Sequence, residues 1–307
     1  MATALGEAVA QLISTRDRST PVTSGPSIWE QTGIPKPSPE ETEACTRESA
    51  ERDAMQREKY RESDRIRREA EAARDREERA KTEQERLERA DRIMGGRYVA
   101  CTFDNFLLSG DRMIRKRQDS AINAARAYAE TINDQIKNGV NLILHGPVGT
   151  GKDHIMASIA KYIARASHDV FKRDAFGSLI PRMRFCNGSS LYTDLRSAMH
   201  SRTETEARII ELNVAPSVLL LSDPGLPGGA VLTPYQLGAL NQIVDSRYQE
   251  KRPIICTINA AGPEKLKDTL SAQVADRLLD GAIVIECKWP SYRKPKSVVR
   301  DAVAAQC

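Results

Sequence analysis

The chain has 307 residues, of which 40% are hydrophobic and 29% charged. An average soluble chain is closer to 45–50% apolar and about 25% charged, so one part of this chain packs and another is too polar to do so. No run approaches the ~18 apolar residues of a membrane helix, and aromatics are too sparse at 5% for wide base-stacking platforms.

The net charge of +4 is unevenly spread. Residues 1–45 carry net −3 and residues 46–92 net 0, leaving net +7 on residues 93–307. A basic excess on the globular part permits a polyanionic partner without demanding one. The N-terminus lacks a basic start followed by an apolar core, so no signal peptide is predicted. The cysteines Cys45, Cys101, Cys186, Cys256, Cys287 and Cys307 are scattered, with no spacing that suits zinc. They predict free thiols in a reduced, cytoplasmic chain.

In chain order, Leu5, Val9, Leu12 and Ile13 fall at helical spacing, so residues 1–13 form either one amphipathic helix or a frayed terminus. Residues 14–44, with Pro21, Pro26, Pro35, Pro37 and Pro39, read as a disordered linker. Residues 46–92 are mostly Arg, Glu and Ala, with Glu–Arg pairs recurring at i,i+4, which predicts a long solvated helix. Its few large apolar residues, Met55, Tyr60, Ile66 and Leu87, fit no heptad. It is an arm or spacer, or a helix that docks a partner. Gly95-Gly96 ends it. The division expected is an N-terminal segment over 1–45, a charged helical arm over 46–94 and a globular domain over 95–307.

A helix is predicted over about 117–137. Beyond it, apolar strands near 141–145, 182–186, 217–221, 253–258 and 282–287 alternate with amphipathic helices. Short apolar runs separated by helices predict a mostly parallel α/β sheet covered on both faces.

The strongest local signal is Gly146-Pro147-Val148-Gly149-Thr150-Gly151-Lys152-Asp153-His154, between a strand and a helix. That is the strand–GxxxxGK–helix context of a phosphate loop. Its glycines let backbone N–H groups curl around phosphates at a helix N-terminus, and Lys152 reaches the β- and γ-phosphates. The Ser or Thr expected next, a Mg²⁺ contact, is Asp153. A carboxylate there meets the metal directly or through water and repels phosphates when no metal intervenes. His154 caps, stacks or is exposed.

Ser217–Leu221 followed by Ser222-Asp223-Pro224-Gly225 looks like the strand that carries acids to Mg²⁺ and the attacking water. Such strands usually end in two acids, and here one survives. Aligned on the apolar run, Asp223 is the metal-side acid and Pro224 replaces the catalytic one. Aligned on Gly225, Ser222 replaces the metal-side acid and Asp223 orients water. Either register predicts slow hydrolysis, with Asp153 a partial compensation. A plain strand-to-loop cap is the bland alternative for Asp223. Asn259, ending the strand through Thr257-Ile258, either contacts the γ-phosphate or its water, or is a turn residue. Arg277, in Asp276-Arg277-Leu278, is either an arginine supplied across a subunit interface or an ordinary surface residue.

Together these residues resemble the DnaC/IstB family of AAA+ ATPases over about 95–303. The resemblance rests on Cys101-Thr102-Phe103-Asp104-Asn105-Phe106, on the phosphate loop, and on the strand reaching Asp223. Thr257-Ile258-Asn259 looks like the family's sensor 1, and Asp276-Arg277-Leu278 like its arginine-finger segment. Trp289-Pro290-Ser291-Tyr292-Arg293 is similar to the tail of DnaC-type loaders, in which a residue other than Ser or Thr after the lysine is tolerated.

The resemblance implies an AAA+ P-loop domain behind a charged helical arm, binding ATP and Mg²⁺ and oligomerising in the ATP state. It implies a loader of the hexameric replicative helicase that also binds single-stranded DNA, with residues 1–92 in the helicase-docking position. Lys172, Arg173, Arg182, Arg184 and Arg196 are candidate phosphate contacts, or simply a solvated basic face. Two other readings stay open. One is an IstB-type helper of transposition. The other is a nucleotide-sensing adaptor that hydrolyses little, which Ser222 and Pro224 favour.

Overall fold

The computed structural model describes residues 35–36, 38–166, 170–176, 178–199, 205–226 and 230–293. The helix considered for residues 1–13, most of the expected linker and Cys307 lie outside the described residues. Two compact units divide between Arg74 and Asp75.

Helix α1 runs Pro39–Met94 and therefore starts inside the segment expected to be disordered. The cause is local. Ser38 caps it, with its Oγ accepting from the Glu41 N–H at 3.2 Å, while Glu41 Oε2 accepts from the Ser38 N–H at 2.7 Å. This reciprocal cap, with proline at the first helical position and acids in the first turn, is a strong start signal. In the first unit Met55, Tyr60 and Ile66 are exposed. Pairs such as Glu62–Arg65 at 2.7 Å and Asp64–Arg68 at 2.9 Å line the surface of this stretch. Each contributes only about 0.2–0.5 kcal/mol.

In the second unit burial begins at Arg86, Ala90 and Met94, one helical stripe. Asp91 pairs with Lys161 at 3.0 Å and Glu83 with Arg165 at 3.3 Å. The predicted helix over 117–137 is two helices, α2 (Arg112–Glu130) and α3 (Ile132–Asn138). Asp111 caps the first by accepting from the Ile114 N–H at 2.8 Å, and Thr131 separates the two.

Strands β1 (Leu142–His145), β4 (Met183–Asn187), β5 (Val218–Ser222), β6 (Ile254–Ile258) and β7 (Ile283–Glu286) form one parallel sheet in the order β4-β5-β6-β1-β7. All five lie within a residue of the predicted runs. Between them come α4 (Lys152–Ala166), α5 (Gly188–Ala198), α6 (Glu206–Val214), α7 (Pro234–Gln249), α8 (Leu266–Leu270) and α9 (Ala272–Leu279). A hairpin of β2 (Phe171–Arg173) and β3 (Leu179–Pro181) was not foreseen. Asp174 holds its turn by accepting from the Phe176 and Ser178 N–H groups.

Side-chain alternation sorts the core into two layers. Leu142, Leu144, Val218, Leu220 and Ile255 face the cluster that includes α2 and α4. Ile143, Leu219, Leu221, Ile254 and Cys256 face the cluster of α5 to α9. A sheet apolar on both faces explains why its strands read as unbroken hydrophobic runs. Cys186, Cys256 and Cys287 are buried free thiols. Among the described residues no helix is long and apolar enough to cross a membrane.

Arg247 of α7 is fully buried. Its guanidinium donates to the carbonyls of Asn213, Val214, Pro216, Ser217 and Pro253 at 2.7–3.3 Å. It fastens the loop entering β5 to the start of β6. Arg247→Met should therefore lower the unfolding free energy in urea by about 3 kcal/mol or more, because buried acceptors lose their donors. A loss within about 0.5 kcal/mol would show that these carbonyls find other partners.

Candidate nucleotide site

Strand order reverses at β1, which lies between β6 and β7. In open parallel sheets ligands bind beyond the carboxyl ends of the strands at such a point. Register brings those ends level: His145 stands opposite Ile258, and Ser222 opposite Thr257. Residues 146–154 emerge there. Gly146, Gly149 and Gly151 all adopt positive φ, and a Cβ at Gly151 would come within 2.9 Å of the Phe106 ring. The predicted glycine loop thus has the backbone that only glycine supplies without strain. Val148 is exposed at its tip.

Lys152 opens α4 and is 6% exposed. Its ammonium donates to the carbonyls of Gly146 at 2.9 Å and Pro147 at 2.7 Å. Thr150 also donates to the Pro147 carbonyl, at 3.1 Å. Burial pulls the Lys152 pKa down, with the carboxylates of Asp153 and Asp223 among the groups that oppose the shift.

Asp153 stands at the junction of three elements. Its Oδ1 accepts from the hydroxyls of Ser222 and Thr257, each at 2.9 Å. Its Oδ2 accepts from the Tyr98 hydroxyl at 3.1 Å. Arg97 in turn donates to the Tyr98 oxygen at 3.0 Å. Burial is the main cause that raises the Tyr98 pKa, keeping the phenol a donor. Asp223 lies one residue beyond β5, at φ 46°, and its Oδ2 accepts from the Asn259 side-chain amide at 2.5 Å. Burial, helped by the charge of Asp153, pushes the Asp223 carboxyl above the ordinary range.

The geometry thus separates the neighbours whose register the sequence left open. Ser222 is the last strand residue and meets Asp153. Asp223 turns away from the strand and meets Asn259.

His154 is not aimed at the loop. Its Nε2 lies 2.9 Å from the Thr102 carbonyl and its ring meets Phe106 edge-on. It joins the Cys101–Phe106 segment to α4. Phe106 also packs edge-on against Trp289 and Tyr292. The Trp289–Arg293 segment crosses the loop: Trp289 Nε1 donates to the Thr150 carbonyl at 2.8 Å, and the Tyr292 N–H to the Gly149 carbonyl at 2.9 Å. Tyr98, Thr257 and this crossing segment were missed as parts of the site. The aromatic cluster of Trp289 and Tyr292 was the available signal for the last.

Arg277 pairs with Asp245 at 2.9 Å and donates to Asn241 Oδ1 at 2.9 Å, both on α7. Of the candidate phosphate contacts, Lys172 and Arg173 lie on the hairpin, Arg182 just before β4 and Arg196 on α5. Arg184 is half-buried and donates to Asn213 Oδ1 at 3.1 Å.

Fold and loop together define a P-loop domain of AAA+ type. No family model matches the chain. Curated relatives do. The replicative helicase loader DnaC of Buchnera aphidicola (Acyrthosiphon pisum strain) is 25% identical over 209 residues, covering 64% of this chain and 71% of that protein. DnaC of Escherichia coli K12 is 23% identical over 194 residues, covering 63% and 69%. An ATP-binding protein of an insertion sequence from Mycobacterium tuberculosis is 28% identical over 162 residues, covering 52% and 57%. A crystal structure of the DnaC helicase loader superposes with a TM-score of 0.51 at 18% identity, over 62% of this chain and 99% of that one, and so shares the fold. The chain is thus similar to DnaC loaders and, over a shorter stretch, to an insertion-sequence ATP-binding protein.

The close approach at Gly151 is testable. Gly151→Ala should cost about 1–3 kcal/mol of stability in nucleotide-free denaturant unfolding, because the alanine is strained at positive φ and meets Phe106. An unchanged midpoint would show that the loop relaxes around a methyl group.

Proposed function

We propose that this chain is an ATP-controlled loader of a hexameric replicative helicase. The observation that carries the reading is the match to DnaC loaders across more than two-thirds of their length, coupled to a glycine loop with the required backbone at a sheet switch point. In this reading Lys152 leaves the loop carbonyls for the β- and γ-phosphates, and the backbone N–H groups of residues 146–154 cradle them.

Mg²⁺ fits the donors present. Asp153, Ser222, Thr257 and Asp223 offer only oxygen, the ligand type this ion takes. Among the described residues no group of three or more His, Cys, Asp or Glu side chains gathers. Water and phosphate oxygens would complete the shell, as is usual for Mg²⁺. When bound, the ion neutralises charge developing on the phosphates. Asp223 and Asn259 orient the water, and Arg277 acts across a subunit interface after leaving Asp245 and Asn241. With one acid missing from the strand end, turnover is weak and the protein works mainly as a switch.

Residues before the AAA+ domain take the helicase. Single-stranded DNA binds the basic domain, the assembly is an ATP-state homo-oligomer, and its place is the cytoplasm. The insertion-sequence match supports a second reading as a transposition helper, over a smaller share of both chains.

Pull-down from the native cell lysate with Mg²⁺-ATP tests this. The hexameric replicative helicase should be recovered with the intact chain. Recovery should fail with Lys152→Ala, and with residues 1–74 removed while ATP binding persists. Capture of a transposase instead would favour the helper. A second expectation concerns subunit crossing: Arg277→Ala should keep nucleotide affinity and lose turnover, and mixing it with Lys152→Ala should restore part of that turnover. No recovery in the mixture would remove Arg277 from the trans role.

A further inference from the structure

In P-loop NTPases Mg²⁺ is commonly held by a Ser or Thr after the loop lysine and by an Asp at the end of the neighbouring acidic strand. Both positions are changed here, and the changes are complementary. Asp153 follows the lysine, and Ser222 ends β5. They touch at 2.9 Å, with the serine donating to the carboxylate.

We propose that the acid and the hydroxyl have changed places: α4 supplies the metal-side carboxylate through Asp153, and β5 supplies the hydroxyl through Ser222. This rests on reading the loop as a Mg²⁺-nucleotide site. The pair keeps its composition of one carboxylate and one hydroxyl, its single negative charge and its hydrogen bond. Only the elements bearing the two groups are exchanged.

Three further observations support the assignment. Strand register identifies Ser222 as the strand-end residue, opposite Thr257 on β6 and Asn187 on β4. The next residue, Asp223, is not a substitute in that place, because its carboxylate is bonded to Asn259 beyond the strand. Thr257 adds a second hydroxyl to the same Asp153 oxygen. That fixes the carboxylate between two strand ends, as an outer-shell partner fixes a metal ligand. Two acids at positions 153 and 222 would crowd two negative charges into one hydrogen-bond distance. No acid at either would leave Asp223 as the carboxylate remaining at these two strand ends. The exchange avoids both.

The test uses full-length protein, with fluorescently labelled ADP titrated in Mg²⁺ and in EDTA, and Mn²⁺ affinity in the presence of ADP read by electron paramagnetic resonance. Asp153→Thr should lower Mn²⁺ affinity about tenfold or more, the size of effect expected on disturbing a metal's ligand shells. Adding Ser222→Asp to it should restore affinity to within about threefold of wild type, since coupled neighbours depart from additivity in a double-mutant cycle. Asp153→Asn, which keeps the shape and an oxygen for the Ser222 and Thr257 hydroxyls but turns an amide N–H toward Tyr98, removes the charge and should also lose Mn²⁺ affinity.

The proposal is overturned if Asp153→Asn binds Mn²⁺ like wild type. It is also overturned if the double variant, folded and binding labelled ADP in EDTA, does no better than Asp153→Thr. Wild-type ADP affinity equal in Mg²⁺ and EDTA would overturn the exchange while leaving the nucleotide site intact. Absence of ADP binding by wild type in either medium would overturn the underlying reading itself.

Discussion

The carboxylate of Asp153 is the point on which the site depends. One side chain at the first turn of α4 accepts hydrogen bonds from the ends of β5 and β6 and from Tyr98. A carboxylate offers about four lone-pair sites, so three hydroxyl donors are within its capacity. Hydrogen bonds to a charged acceptor are roughly twice as strong as neutral ones. The helix that follows the glycine loop is thereby fixed to two strands and to the turn after α1 through one group.

Tyr98 belongs to the short turn after Gly95 and Gly96, both at positive φ. The same region is anchored again by Lys161, which pairs with Asp91 and donates to the Val99 carbonyl. Changes at the phosphate loop therefore meet the end of α1 within a few bonds. The rest of α1 solves a different problem. Residues 39–74 bury no apolar stripe, so propensity, the Ser38 cap and many weak charge pairs carry this part of the helix. From Arg86 onward, packing takes over.

The departures from the common P-loop pattern concentrate where function is read. One acid stands at the end of β5 where two are common, and Asp153 brings a carboxylate to the Ser222 hydroxyl from α4. The loop is also crossed by the Trp289–Arg293 segment, which bonds to the carbonyls of Gly149 and Thr150. The glycine loop, the first turn of α4, the Trp289–Arg293 segment and the Cys101–Phe106 segment thus meet at the ring of Phe106.

The sequence by itself determined the five sheet strands, the phosphate loop and the polar helix. Each is written in contiguous residues: an apolar run buried on two faces, a glycine spacing, or a repeated Glu–Arg period. It also held the Ser38-Pro39-Glu41 start signal, which a proline-rich surrounding obscured. The β2–β3 hairpin was illegible because its three-residue strands each bury chiefly one side chain, Phe171 or Leu179, and carry no period. Only the tertiary structure decided which hydroxyls meet Asp153 and which amide meets Asp223. Ser222 and Thr257 lie 69 and 104 residues from Asp153 along the chain. They reach it because the order β5-β6-β1 and the parallel register set three strand ends side by side, and neither order nor register is encoded in any local run.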